Sequence, residues 1–411
     1  MRRFLPAIAL LSLGAARAHA QRTPAGAAPP RPRLEAMSDT NDATAYYTHG
    51  FVVLEARPAE AAASFYWARR INPAWADAYY AERTALLMTD KDRLLGWMND
   101  SRRVLDSPAV LHIDSLYDRA ATADPFLAPK LDRALWIYWY GAWRTHGNSG
   151  VMDDVKPAEI QNYLTSQATP PTRAWLAFSE GRYAQAVDLY DAAIRWSSGR
   201  EKAPLRLNRA RALYLAGRYP EALAGMQQGI TEWRKDDDTK RVVFLYRSKA
   251  HLEQSVGLIH EKMGDKAAAR EAYGRALTED ISYFPAHVRL SALALAAGDT
   301  ASAISEMDLA VQIRPGDGSL RYNYGFVLGT ARKFEEAAEQ FKKAQELEPS
   351  FAAPYYMLAR IYDASGMQDE ATANYRAFVA RASRRDQYLP LATQRLAELA
   401  APAAPAPAGG R

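Results

Sequence analysis

The 411 residues contain no cysteine. Disulfide bonds, thiolate zinc sites, a cysteine nucleophile and a lipoprotein-type acylated cysteine are therefore excluded. A strong charge of one sign is also missing, because 52 Lys and Arg stand against 47 Asp and Glu for a net +5. The common catalytic and phosphate-binding signatures are missing too. There is no GxxxxGKS/T, no GxGxxG, no HExxH and no GxSxG, so neither a phosphate cradle nor a zincin or serine-hydrolase site is announced. No apolar run reaches bilayer length. What remains is a chain with 48% hydrophobic and 24% charged residues, ample for a core and too apolar for disorder.

The N-terminus reads as an export signal. Arg2 and Arg3 precede the apolar stretch FLPAIALLSLGAA (residues 4–16), and Ala18-His19-Ala20 gives a small-x-small cleavage pattern. Residues 1–20 are expected to be a cleaved signal peptide with Gln21 as the mature N-terminus, an uncleaved anchor being the alternative. Loss of Arg2, Arg3 and Arg17 takes the net charge from +5 to +2. Such a balance gives no basis for nucleic-acid binding. The expected compartment is periplasmic or extracellular, with no transmembrane segment after cleavage.

Residues 21–40 begin with a Pro/Ala/Gly-rich leader, and 400–411 form a matching low-complexity tail. Between them alanine, leucine, arginine and glutamate dominate, with apolar residues at three- and four-residue steps and no convincing strand. In FEEAAEQFKKAQELEP (334–349), Ala337, Phe341 and Ala344 fall on one helical face and Pro349 closes the run. Thirty-four residues earlier stand Ala303, Met307, Ala310 and Pro315, and earlier again Ala269, Tyr273, Ala276 and Ile281. Later come Ala371, Tyr375 and Phe378. The preceding helix repeats as well: its small slot holds Gly257, Ser291, Gly325 and Ala359, and its turn Gly264, Gly298 and Gly366, with Arg332 the exception.

This register over residues 250–383 resembles the tetratricopeptide repeat family. Two upstream copies carry Ala174, Gly181, Tyr183, Ala186, Tyr190, Ala193 and then Ala210, Gly217, Tyr219, Ala222, Met226, Gly229. Residues 231–248 are an insertion before the register resumes. A degenerate copy with Gly50, Ala61, Phe65, Ala68 and Pro73 lacks one residue in its turn. The resemblance implies an all-α, right-handed α-solenoid of antiparallel helix pairs. The expected layout is an N-terminal helical region 41–170, a repeat array 171–383, a capping helix 384–399 and the tail. The aromatic slot is expected to fill the space between successive repeats.

Candidate chemistry is sparse. His49, His112, His146, His251, His260 and His287 show no metal-binding spacing, and no cofactor is expected. Asp236-Asp237-Asp238 lack the glycine and distal glutamate of a calcium loop and read as a solvated loop. Trp136, Trp139 and Trp143 lie in an aromatic cluster at 136–143 that reads first as core of a degenerate repeat helix and second as a ligand platform. The family's usual role implies a non-catalytic scaffold that holds an unidentified protein or peptide. Its groove slots fall on Asn208, Arg211, Tyr214, Gln254, Arg289, Tyr322, Asn323, Phe326, Tyr356 and Arg360. For Tyr322 and Tyr356, partial packing on the neighbouring helix is an equal alternative; for Arg211 and Arg360 a plain solvated face is the simpler one. The fifth position of these repeats, Leu207, Gln254, Val288, Tyr322 and Tyr356, contains no lysine. The resemblance therefore does not extend to the subclass that clamps a C-terminal carboxylate. The alternative function is a glycan-binding or enzyme-associated envelope module using residues 136–143; a hydrolase on a helical frame ranks below both.

Overall fold

The structure, a computed structural model, describes residues 28–90, 92–94, 107–127, 134–135, 168–238 and 249–400. Residues 1–20, expected to be a signal peptide, the aromatic cluster 136–143, part of the insertion and nearly all of the tail lie outside the described residues. Among the described residues every regular element is helical and none is a strand. In chain order the α-helices are α1 (Ala43–Val53), α2 (Pro58–Ile71), α3 (Ala76–Met88), α4 (Pro108–Ala123), α5 (Pro170–Ser179), α6 (Tyr183–Trp196), α7 (Lys202–Leu215), α8 (Tyr219–Asp238) and α9 (Lys249–Lys262). There follow α10 (Lys266–Glu279), α11 (Phe284–Ala296), α12 (Thr300–Ile313), α13 (Gly318–Thr330), α14 (Phe334–Leu347), α15 (Ala353–Ala364), α16 (Gln368–Val379) and α17 (Leu389–Ala400). Among the described residues, no helix is long and apolar enough to cross a membrane.

Short turns make the pairs. In each, the amide three residues past the helix reaches back five residues, as Arg182 to the Ala177 carbonyl, Asp265 to His260 and Met367 to Tyr362. This 6→1 bond needs a residue in the left-handed region. Gly181, Gly217, Gly264, Gly298 and Gly366 supply it at φ 76–81°, where the missing Cβ removes the steric penalty. Arg332 adopts φ 62° in the same motif, with Lys333 bonding back to Leu328. The next residue opens the second helix. Asp265 and Asp299 accept from the amides of Ala268 and Ser302 at 3.0 Å, side-chain caps that stabilise by about 1 kcal/mol each. At Arg182, Lys333 and Met367 no side-chain cap forms.

The helices of each turn then pack on one another, as α5 on α6, α7 on α8, α9 on α10, α13 on α14 and α15 on α16. The thirty-four-residue slots are the buried ones, Ala269, Tyr273 and Ala276, then Ala303, Met307 and Ala310, then Ala337, Phe341 and Ala344, then Ala371, Tyr375 and Phe378. The aromatic is seated differently from the sequence expectation. It lies over the small slot of its own hairpin: a methyl at Gly257 would come within 2.4 Å of Tyr273, and one at Gly325 within 2.7 Å of Phe341. The core cluster of each ring then reaches the following first helix, through Ala286 for Tyr273 and Leu358 for Phe341. Gly50 and Phe65 repeat the arrangement at 2.7 Å, so the degenerate first copy packs by the same rule.

The described chain divides into two compact units. The first holds Thr48–Tyr66 and Trp75–Leu293. The second holds Arg33–Tyr47, Trp67–Ala74 and the chain from Ala294 onward. Within the second, early and late segments are stitched together. Asn41 donates to the Ala380 carbonyl at 3.0 Å, Asp39 accepts from the Arg384 amide at 2.6 Å, and Arg70 donates to the Leu347 carbonyl at 3.1 Å while pairing with Glu348 at 2.7 Å.

Two boundaries depart from the sequence reading. The Asp236–Asp238 stretch is the end of α8 rather than a loop, because the helix begun at Tyr219 runs on past the repeat register. The capping helix starts at Leu389, five residues later than expected. Pro390 explains this, since a ring without an N–H is tolerated only in a helix's first turn. Arg395 then ties α17 back to Asp363 through two bonds of 2.8 Å.

Candidate functional site

The predicted groove residues fall on two faces, one in each compact unit. In the first unit, Asn208, Arg211 and Tyr214 lie on α7, Gln254 on α9 and Arg289 on α11. Arg211 and Gln254 are buried, and Asn208, Tyr214 and Arg289 are half-buried. The cover comes from residues 122–127. Arg211 Nη2 donates to the Leu127 carbonyl at 2.5 Å, and Gln254 Nε2 donates to the Thr122 carbonyl at 3.2 Å. The Phe126 ring stacks on Tyr214 with centroids 3.6 Å apart and planes 14° apart. Arg211 also lies 5.2 Å from the Phe178 ring centroid, and Asn208 accepts from Arg211 at 3.3 Å. Burial pushes the Tyr214 hydroxyl up to about 12, and the nearby Asp124 carboxylate adds to the shift.

Arg289 has a different role. It pairs with Glu261, which also accepts from the Tyr273 hydroxyl at 2.5 Å. Arg289 therefore braces the α9–α10 hairpin from the next helix. Behind Gln254 the Tyr283 hydroxyl donates to its Oε1 and lies 3.4 Å from His251 Nδ1, all three buried. Sequence reasoning missed residues 122–127 as the cover. The signal was present in Asp124-Pro125-Phe126-Leu127: proline ends α4, and an aromatic–aliphatic pair outside any repeat slot needs a place to bury.

In the second unit, Tyr322, Asn323 and Phe326 lie on α13, and Tyr356 and Arg360 on α15. Phe326 is 46% exposed and Arg360 is exposed. Tyr322 and Asn323 are half-buried and Tyr356 is buried. Tyr322 contacts Phe341 and Phe351 edgewise or tilted at 5.8 and 5.1 Å. Arg360 sits 5.9 Å from the Tyr356 ring centroid. Tyr388, which sequence reasoning did not single out, stacks on Tyr356 at 4.5 Å and is 40% exposed. Burial, then Tyr388 and Asp386, hold the Tyr322 hydroxyl above its ordinary value. Thus α13, α15 and the turn before α17 present one aromatic surface with a cation at its margin. Such a mixture suits an apolar anchor framed by hydrogen-bonding groups. Trp136, Trp139 and Trp143, the proposed ligand platform, lie outside the described residues.

The chain is similar to known proteins over its repeats. Tetratricopeptide-repeat family profiles match residues 177–238, and residues 254–280, 318–351 and 352–383. The TPR repeat-containing protein YpiA of Bacillus subtilis (strain 168) is 28% identical over 167 residues, which is 37% of this chain and 37% of that protein. The chain thus spans little more than a third of that curated relative. Among solved structures, the C-terminal part of a TPR repeat-containing protein from Cytophaga hutchinsonii matches 51% of this chain and 77% of its own, at 20% identity and TM-score 0.41. YrrB, described as a TPR protein with an unusual peptide-binding site, matches 50% of this chain and 98% of its own, at 19% identity and TM-score 0.38. TM-scores this low carry no argument about partners. The buried thirty-four-residue register and the matched profiles agree: residues 177–238, 254–280 and 318–383 carry tetratricopeptide repeats, helix pairs of a kind that serves as a scaffold for protein interaction.

Proposed function

We propose that the protein is an exported, non-catalytic scaffold that holds a peptide or partner helix on the α13–α15 face of its second unit. The observation that carries the reading is Phe326, a large apolar side chain 46% exposed on a first helix, one helical turn after Tyr322 on α13. A ring so placed contributes little to the fold. Burying it against a partner would remove apolar area from water at about 25 cal/mol per Å². Asn323 and Arg360 supply donors for a partner's main chain. Export rests on the N-terminal pattern of residues 1–20.

Two measurements test this. Sequencing the N-terminus of protein recovered from the exporting cell should give Gln21, and retention of Met1 would overturn the export reading. Immobilised wild-type protein should retain a partner from cell-envelope extract, identified by mass spectrometry. Phe326→Ala/Arg360→Ala should lose that partner while Trp196→Ala, an exposed residue of the first unit, keeps it. Equal retention by all three forms would remove the α13–α15 face from consideration.

A further inference from the structure

The cover on the first unit packs on α3 as an ordinary helix, but its end meets α7 and α9 with the chemistry of a ligand. Helices that pack through ridges meet side chain to side chain. Here two side chains of the repeats reach past the surface of residues 122–127 and bind main-chain oxygens, Gln254 to Thr122 and Arg211 to Leu127. Between these anchors the Phe126 ring fills a slot floored by Tyr214, and is 1% exposed. Main-chain bonds at both ends with one aromatic anchor between them is how grooves hold short peptides.

The bound conformation is made locally. Ser107 caps α4 by accepting from Val110, with Pro108 in the first turn. Pro125 prevents the helix from continuing. Asp124 Oδ1 then accepts from the Phe126 amide at 2.9 Å, and the Asp124 carbonyl accepts from the Leu127 amide at 3.1 Å. The hydrogen bonds of this turn, which aims Phe126 and Leu127 off the helix end, are all made within residues 124–127. Charge is matched as well. The Asp124 carboxylate acts on the Tyr214 hydroxyl, while Arg211 stands on the receiving helix α7.

We infer that the face formed by α7 and α9 is a reader of acidic helix ends that continue into Asp-Pro-aromatic sequence, and that residues 114–127 of this chain are its resident ligand. An external partner of this unit carries the same features and enters by displacing them. The inference rests on the reading of first-helix faces as binding surfaces proposed above, applied to the other unit.

The test uses full-length protein and a fluorescent synthetic peptide of residues 114–127, read by anisotropy. Phe126→Leu keeps the slot filled but removes the stack, which loosens the resident segment. The peptide should bind this variant at least tenfold more tightly than it binds wild type. Adding Arg211→Ala and Gln254→Ala should abolish the gain. A natively helical Phe126→Leu protein that binds peptide no better than wild type overturns the inference, as does binding indifferent to Arg211 and Gln254. A second measurement needs no variant protein. Excess unlabelled peptide should accelerate hydrogen exchange at the amides of residues 126–127 in wild-type protein, while the peptide carrying Phe126→Ala should not. Absence of any acceleration overturns the inference even if Phe126→Leu fails to fold. Loss of partner capture at Phe326 and Arg360 bears on the proposed function alone, and these peptide experiments bear on the α7–α9 reader alone.

Discussion

Consider Gly325 and Phe341, the small and aromatic slots of one hairpin. A methyl on Gly325 would lie 2.7, 2.8 and 2.9 Å from three carbons of the Phe341 ring. Atoms do not approach so closely, and the ring is held because it is 2% exposed and shares a core cluster with Leu328, Ala337 and Leu358. Gly325→Ala should therefore cost about 1–3 kcal/mol in overpacking. Alanine's better helix propensity returns about 1 kcal/mol, leaving a net loss of about 0–2 kcal/mol. Phe341→Ala alone should cost about 3–5 kcal/mol through lost burial and a cavity. In the Phe341→Ala protein the obstruction is gone. Gly325→Ala there should stabilise by about 1 kcal/mol, from propensity and partial filling of the void. The sign of one substitution thus depends on the other, with a coupling of about 1–3 kcal/mol. Repeat arrays unfold in parts, so a single melting temperature is a poor readout. Native-state hydrogen exchange across residues 318–351 measures the hairpin directly. If Gly325→Ala destabilises both backgrounds equally, the ring is not what keeps that slot small, and the packing rule fails.

Three further outcomes follow from local geometry. Arg332→Gly should stabilise the α13–α14 turn by up to about 1 kcal/mol, since an L side chain in the left-handed region is strained by about 1–2 kcal/mol and glycine's extra unfolded-state entropy offsets part of the relief. Chemical denaturation of the two proteins checks it, and a loss of stability would refute the strain. The Arg395 bonds hold the Asp363 carboxyl below its ordinary value, so this contribution is complete above about pH 4 and disappears as pH falls through the lowered native value. Exchange at α17 amides should thus be faster in Asp363→Asn than in wild type at neutral pH, and the difference should vanish in strong acid. Glu253, whose side chain is 4% exposed, pairs with Arg234 at 3.0 Å and Arg275 at 2.9 Å. Arg234→Ala alone should be mild because Arg275 still meets the carboxylate, whereas removal of both should cost about 3 kcal/mol by leaving a buried charge unpaired. Equilibrium unfolding of the single and double variants decides between additive and coupled behaviour.

The repeats were legible in the sequence because their determinants are short-range and periodic. A small residue that admits a ring, a ring that fills the space, and a glycine that closes a left-handed turn recur at fixed offsets. The same rule identified the degenerate copy, where Gly50 admits Phe65 despite one missing residue. Groove positions were legible as addresses on helices, since the register assigns a face to each number. Whether an address is open was not. Arg211 and Gln254 are covered by residues far upstream and outside the register. Nothing periodic links Phe126 to Tyr214. Tyr388 escaped notice for a similar reason, because it precedes the capping helix and meets Tyr356 only through the turn that Pro390 imposes. The end of α8 was misread because three consecutive acids suggest a loop, whereas the helix begun at Tyr219 runs on through them.

The stitching of residues 33–47 and 67–74 to the last repeats has a kinetic consequence. A tandem of hairpins matures rapidly, because each pair closes over a few dozen residues. The Asn41–Ala380 bond, by contrast, joins positions 339 residues apart. At a ribosomal rate of about 5–20 residues per second, Asn41 waits roughly 20–70 s for its partner to be made. The first part of the polypeptide to emerge is therefore among the last to dock. A stalled or shortened chain would leave Arg70 and Asn41 facing water, marking it as unfinished.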